Sequence, residues 1–133
     1  MGWIGVDLDG TLAYYDGWQG AEHIGKPIPL MIERVKKWLA EGKEVRIFTA
    51  RVDGGNSPEV QIAINKNPEL IGFRDVALVR NTIECWCECH IGCKLQITNV
   101  KDFEMIELWD DRCVAVEKNT GLFKIQNSKN ERT

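Results

Sequence analysis

Four short apolar runs alternate along this chain with segments of helical period, and that alternation is the tightest constraint on how it can fold. The first run is Trp3 to Leu8. From about Pro29 the period changes: Met31, Val35, Trp38 and Leu39 stand at i, i+4, i+7 and i+8, one face of a helix, with Glu33, Arg34, Lys36 and Lys37 away from it. Gly42 suits the helix stop. "EVRIFTA", Glu44 to Ala50, is the second run, and a second helix is predicted from Val76 to His90 through Val79, Ile83, Trp86 and His90. "LQITNV" and "MIELWDD" supply the third and fourth strands, and "CVAVEKNTGLFKIQ" reads as a β-hairpin turning at Asn119 to Gly121. Strands that alternate with helices predict an α/β fold with a mostly parallel sheet.

The polar residues follow the same pattern. Asp7 and Asp9, Thr49, and Asp110 and Asp111 all fall at the C-terminal ends of predicted strands. In open α/β sheets that edge is where ligands bind. Carboxylates at the end of a buried strand are costly unless something binds them. Gly10 then allows a sharp turn directly after the first pair.

A length of 133 residues fits one domain, spanning 1–133. Residues 52–74, irregular at first ("VDGGNSP") and then helical from Ser57-Pro58 to Lys66, read as a small insert or flap, and 127–133 as a frayed polar tail. No run of 18 apolar residues occurs, so no membrane span or membrane partner is expected. The first residues run into Asp7 and Asp9 without a basic stretch, so no secretory leader is expected. Of five cysteines, four crowd into Cys85, Cys87, Cys89 and Cys93, unlike a dispersed disulfide scaffold, which points to a reducing, cytoplasmic setting. A net charge of −3 does not favour tight non-specific binding to nucleic acid.

"DLDGT" at Asp7 to Thr11, Thr49 after an apolar strand, a lysine before the fourth strand and "WDD" at Trp109 to Asp111 resemble the four motifs of the haloacid dehalogenase (HAD) superfamily, in that family's order. "TAR" at Thr49 to Arg51 and "DDR" at Asp110 to Arg112 are also similar to the phosphatase domain of phage polynucleotide kinase-phosphatases, and the size suits a small phage-type member. The resemblance implies a Rossmann-like three-layer sandwich without a large cap. It implies a phosphatase in which Asp7 is the nucleophile that forms an aspartyl-phosphate. Mg²⁺ would be bound by Asp7, the backbone carbonyl of Asp9, and Asp110 or Asp111. Asp9 would serve as acid and then base. Thr49 would hydrogen-bond a phosphoryl oxygen, with Gly10, Thr11, Ala50 and Arg51 around the substrate. Lys101 is preferred over Lys94 as the family's phosphate-neutralising lysine.

Arg51 either contacts a substrate phosphate or a second phosphodiester, or is a solvated arginine or in a salt bridge to the insert. Arg112 is expected in an ion pair with the acidic cluster, and Trp18 near the pocket. "CWCECHIGC" offers a zinc reading through Cys85, Cys89, His90 and Cys93, weighed against buried thiols on a helix face. An open HAD-like site favours a nucleotide, a 3′-phosphate on a polynucleotide end, a protein, or a broad range of phosphorylated small molecules. A different class of function is an idle HAD-like module that binds a phosphorylated partner; another is a zinc-stabilised interaction protein. The sequence leaves the oligomeric state open.

Overall fold

In the computed structural model, residues 2–53, 62, 65–67 and 76–124 are described. The order of elements is β1 (Trp3–Asp7), α1 (Pro29–Ala40), β2 (Glu44–Phe48), a short 3₁₀ turn (Ala50–Asp53), α2 (Val76–His90), β3 (Gln96–Thr98) and β4 (Met105–Trp109). The strands form one parallel sheet in the order β3-β2-β1-β4. This is the α/β class with a parallel sheet that the alternation predicts. None of the described helices is long and apolar enough to cross a membrane. Of the helix expected from Ser57 to Lys66, only residues 62, 65 and 66 are described, and they are helical; the rest of that insert and the 127–133 tail lie outside the described residues.

The helices form where local chemistry allows. Pro29 opens α1, where its missing N–H goes unused. Past its end, Gly42 takes φ +81°. Its N–H bonds to Leu39 O at 3.0 Å, and Lys43 N–H bonds to Trp38 O at 2.9 Å, the paired bonds of a Schellman stop. Met31, Ile32, Val35 and Trp38 are buried on α1; Val79, Ile83, Trp86 and Cys87 are buried on α2. They pack in one cluster with Ile4, Val6, Val45, Ile47 and Ile97 from the sheet. Each fully buried Leu, Ile or Val contributes about 1.5–3 kcal/mol.

Alternation along the strands sends Trp3, Arg46 and Phe48 to the opposite face. No described helix covers that face. The connection 99–104 runs back across it instead: Trp3 Nε1 donates to Asp102 Oδ1 at 2.8 Å, and Trp3 N–H donates to Glu104 O at 2.9 Å. Arg46 lies over the Trp3 ring at 4.6 Å. Among the described residues the third layer is this non-helical segment. Among the described residues the C-terminal hairpin pairs Val116 with Phe123, flanked by Glu117 N–H to Leu122 O at 2.7 Å and Lys124 N–H to Ala115 O at 2.8 Å, around a turn in which Asn119 takes φ +64°.

This topology decides where a site can form. The chain goes from β1 outward through β2 to β3, then returns to place β4 on the other side of β1. The order therefore reverses between β1 and β4, and a crevice opens beyond their C-terminal ends.

Candidate metal centre and its neighbours

Asp7 ends β1, and Asp110 and Asp111 come directly after β4; Val6 and Trp109 are paired in register, which brings the two strand ends together. One carboxylate oxygen from each of Asp7, Asp110 and Asp111 lies within 4.8 Å of the others. Three carboxylates so close repel one another unless protons or a cation intervene. Burial, then the Asp110 charge, then a hydrogen bond with Asp111 push the Asp7 carboxyl up to about 8. Among the described residues no basic side chain pairs with any of the three. All-oxygen donors around an unmet demand for positive charge fit a hard divalent cation such as Mg²⁺.

The tight turn after β1 holds Asp111 in place. Thr11 Oγ1 accepts the Asp111 N–H at 3.0 Å and donates to Asp111 Oδ1 at 3.3 Å. Gly10 stands at φ +91°, and a Cβ built there would lie 2.6 Å from Asp111 Oδ2. Both the backbone angle and the close approach require glycine. Asp110 Oδ1 accepts the Arg112 N–H at 2.8 Å. Arg112 thus meets the cluster through its backbone, and the ion pair expected of its side chain is not formed among the described residues. Cys113 also stands beside Asp110: burial and that carboxylate push its thiol up. No sequence signal marked it.

Asp9 points elsewhere. Its carboxylate is gripped by Arg51, with Nε to Oδ2 at 2.7 Å and Nη2 to Oδ1 at 2.8 Å. It is not in the three-carboxylate group. Arg51 is 4% exposed. Its Nη2 also donates to His23 O at 2.9 Å, and its guanidinium lies 5.0 Å from the Trp18 ring. Nη1 is buried without a hydrogen-bond partner among the described residues. Among the described residues the salt bridge of Arg51 is made to Asp9, and most of the insert lies outside them. The loop that covers it, residues 14–26, is closed by Tyr14 N–H to Lys26 O at 2.8 Å and tied to α2 by Trp86 Nε1 to Gly25 O at 3.0 Å.

Thr49 is buried at the end of β2. Its Oγ1 accepts the Arg51 N–H at 3.2 Å, which leaves its own hydrogen to donate. Ala50, exposed, begins the 3₁₀ turn. Neither lysine joins this group. Lys94 precedes β3 and so lies at the opposite sheet edge. Lys101 is exposed and unpaired among the described residues. Its neighbour Asp102 is bonded to Trp3 at the start of β1, about 13 Å of strand away from Asp7. Among the described residues, the cation beside Asp9 is Arg51. The thiols do not gather either: among the described residues Cys85, Cys89, Cys93 and His90 form no group that could hold a metal ion. Cys87 is a core residue, and His90 packs on Trp86 at 4.8 Å.

No family model and no curated protein matches the chain. Among solved structures it is similar to a conserved protein coded by a locus from Bacteroides thetaiotaomicron, with a TM-score of 0.50, 20% identity, and coverage of 85% of this chain and 78% of that one. At that identity the likeness supports the α/β fold.

Proposed function

We propose that this chain is a Mg²⁺-dependent phosphomonoester hydrolase of HAD type. The observation that carries the reading is the convergence of Asp7, Asp110 and Asp111 within 4.8 Å at the switch point between β1 and β4. Asp7, the backbone carbonyl of Asp9, and Asp110 and Asp111 would hold the ion, which supplies the positive charge that lets an anionic carboxylate approach a phosphate. An Asp7 oxygen attacks phosphorus, and the bond from phosphorus to the leaving oxygen breaks. Asp9, as the acid, gives that oxygen its proton. In the second half Asp9 takes a proton from water, the water oxygen bonds to phosphorus, and the bond to Asp7 breaks. Phosphate leaves and both carboxyl groups regain their starting state. The Thr49 hydroxyl donates to a phosphoryl oxygen, and the turn at Gly10 and Thr11 fixes Asp111. Free nucleotides and polynucleotide 3′-phosphate ends are the substrate classes we favour, on the similarity of "TAR" and "DDR". A cytoplasmic, phage-type protein is the matching setting.

A second reading, a module that binds a phosphorylated partner without turning it over, gains from one observation: Asp9 is engaged by Arg51. Phosphate release with Mg²⁺ separates the two. The panel is an aryl phosphate, nucleoside 3′- and 5′-monophosphates, a sugar phosphate, and 3′- and 5′-phosphorylated oligonucleotides, with Asp7→Asn as the blank. Release that needs both Mg²⁺ and Asp7 is expected. Binding of these compounds without release from any of them would favour the module.

A further inference from the structure

The Asp9–Arg51 pair sets a problem for the hydrolase reading. A carboxylate held at both oxygens by a guanidinium has no free oxygen facing a leaving group. Yet the pair is not sealed in the core. Asp9 and Arg51 both line a cleft together with Tyr14, Tyr15, Asp16 and Gly17 of the covering loop. Arg51 has spare capacity: its Nη1 is buried and unpartnered among the described residues. A buried donor left unmatched is uncommon in a native protein and calls for an acceptor. The planar fork that grips the Asp9 carboxylate also matches a phosphate, because both present paired oxygens that accept two parallel N–H bonds. Removing Asp9 from Arg51 with nothing in exchange would strand a buried charge, whereas exchanging carboxylate for phosphate would not.

We propose that the Asp9–Arg51 pair is a latch opened by a second anionic group of the substrate, a phosphodiester or second phosphate about one nucleotide from the phosphate being cleaved. That group takes over the Arg51 fork and supplies an acceptor for Nη1, and Asp9, freed, takes a proton from water and swings toward the leaving oxygen. Arg51 is then a positioning residue that acts through Asp9 and reads a substrate with two anions. Aromatic rings on the covering loop, Tyr14 and Tyr15, both substantially exposed, flank the route by which a nucleotide would enter. The inference rests on the hydrolase reading for its kinetic consequence, but not for its binding consequence.

The test therefore has two readouts. The first is turnover of a nucleoside 3′-monophosphate against a nucleoside 3′,5′-bisphosphate and a 3′-phosphorylated dinucleotide. The latch predicts that either two-anion substrate exceeds the monophosphate at least tenfold, mainly in kcat. Arg51→Gln should bring that ratio to about one, and Arg51→Lys, which keeps the charge without the fork, should bring it most of the way. Preference for the bisphosphate alone would identify a free nucleotide as the source of the anion, and preference for the dinucleotide alone a polynucleotide end. The second readout is the Arg51 Nε–H resonance of Asp7→Asn protein with Mg²⁺, assigned by its loss in Arg51→Lys. The two-anion compounds should shift it and the monophosphate should not. A shift without turnover in the wild-type protein would retain the latch and refute the hydrolase reading. Turnover with no preference, or a resonance indifferent to the second anion, overturns the latch.

Discussion

Replacing Asp7 by asparagine should make the metal-free protein more stable, and increasingly so as pH rises. The ordinary carboxyl value of 3.8 is raised to about 8 at this site, first by burial and then by the Asp110 and Asp111 carboxylates. The folded chain therefore holds a proton on Asp7 that the unfolded chain has already released above pH 4. A folded-state value above the unfolded one means stability that is fully present below pH 4 and lost as pH climbs toward 8. Roughly four pH units at 1.36 kcal/mol each give about 6 kcal/mol. Asp7 is only partly buried, so solvent screening reduces this to about half, or ~3 kcal/mol. Asparagine keeps the shape and removes the titration. In EDTA, Asp7→Asn should melt about 10 °C above wild type at pH 8.5, on roughly 3 °C per kcal/mol for a chain of this size. At pH 5, where only about a quarter of the interval has been crossed, the gain should shrink to ~1 kcal/mol or less. Thermal unfolding of both proteins at the two pH values measures it. An increment that is equal at both, or larger at pH 5, would refute the picture of three mutually repelling carboxylates.

The same geometry has other consequences. Mg²⁺ binding should release a proton from Asp7 at mildly acidic pH and progressively less as pH rises, with almost none at pH 9; calorimetric titration in buffers of different ionisation enthalpy reads this directly. Thr11→Val removes the hydroxyl that holds Asp111 by its N–H and its Oδ1, and should weaken Mg²⁺ binding by about 10–100-fold while costing the fold only about 1 kcal/mol. Gly10→Ala forces a Cβ against Asp111 at a φ of +91°; it should destabilise the protein by about 1–3 kcal/mol, seen in denaturant unfolding, and lower Mg²⁺ affinity at least as far as Thr11→Val.

The sheet is legible in the sequence because its strands show in their own composition, and β1 and β4 again in the carboxylates at their ends. "WIGVD" closes on Asp7 and "MIELW" runs into Asp110, and the helices between strands keep their period through Trp38 and Trp86. The acidic cluster is legible for the same reason, since parallel strands must deliver their C-terminal neighbours to one edge. Ile32 and Cys87 escape a periodic reading of the core, because each lies beside the strictest periodic positions on its helix and is buried by breadth of contact. The grip of Arg51 on Asp9 is hidden by 42 residues of separation, and that of Thr11 on Asp111 by 100; no local pattern encodes such partners. Lys101 is a candidate only by its distance in sequence from β4. Its place in space depends on how residues 99–104 cross the sheet, and the Trp3–Asp102 bond that fixes that path leaves no trace in periodicity.

The central claim is that Asp7 becomes covalently bound to the phosphoryl group, and a chemical trap tests it most directly. Enzyme mixed with Mg²⁺ and its best substrate is quenched in acid within milliseconds and reduced with borohydride, which converts an aspartyl-phosphate to homoserine. The account predicts homoserine at position 7 in the wild-type protein, at no other aspartate, and at none in the absence of Mg²⁺. Phosphate release with position 7 still aspartate, or homoserine at Asp9, Asp110 or Asp111 instead, would contradict it.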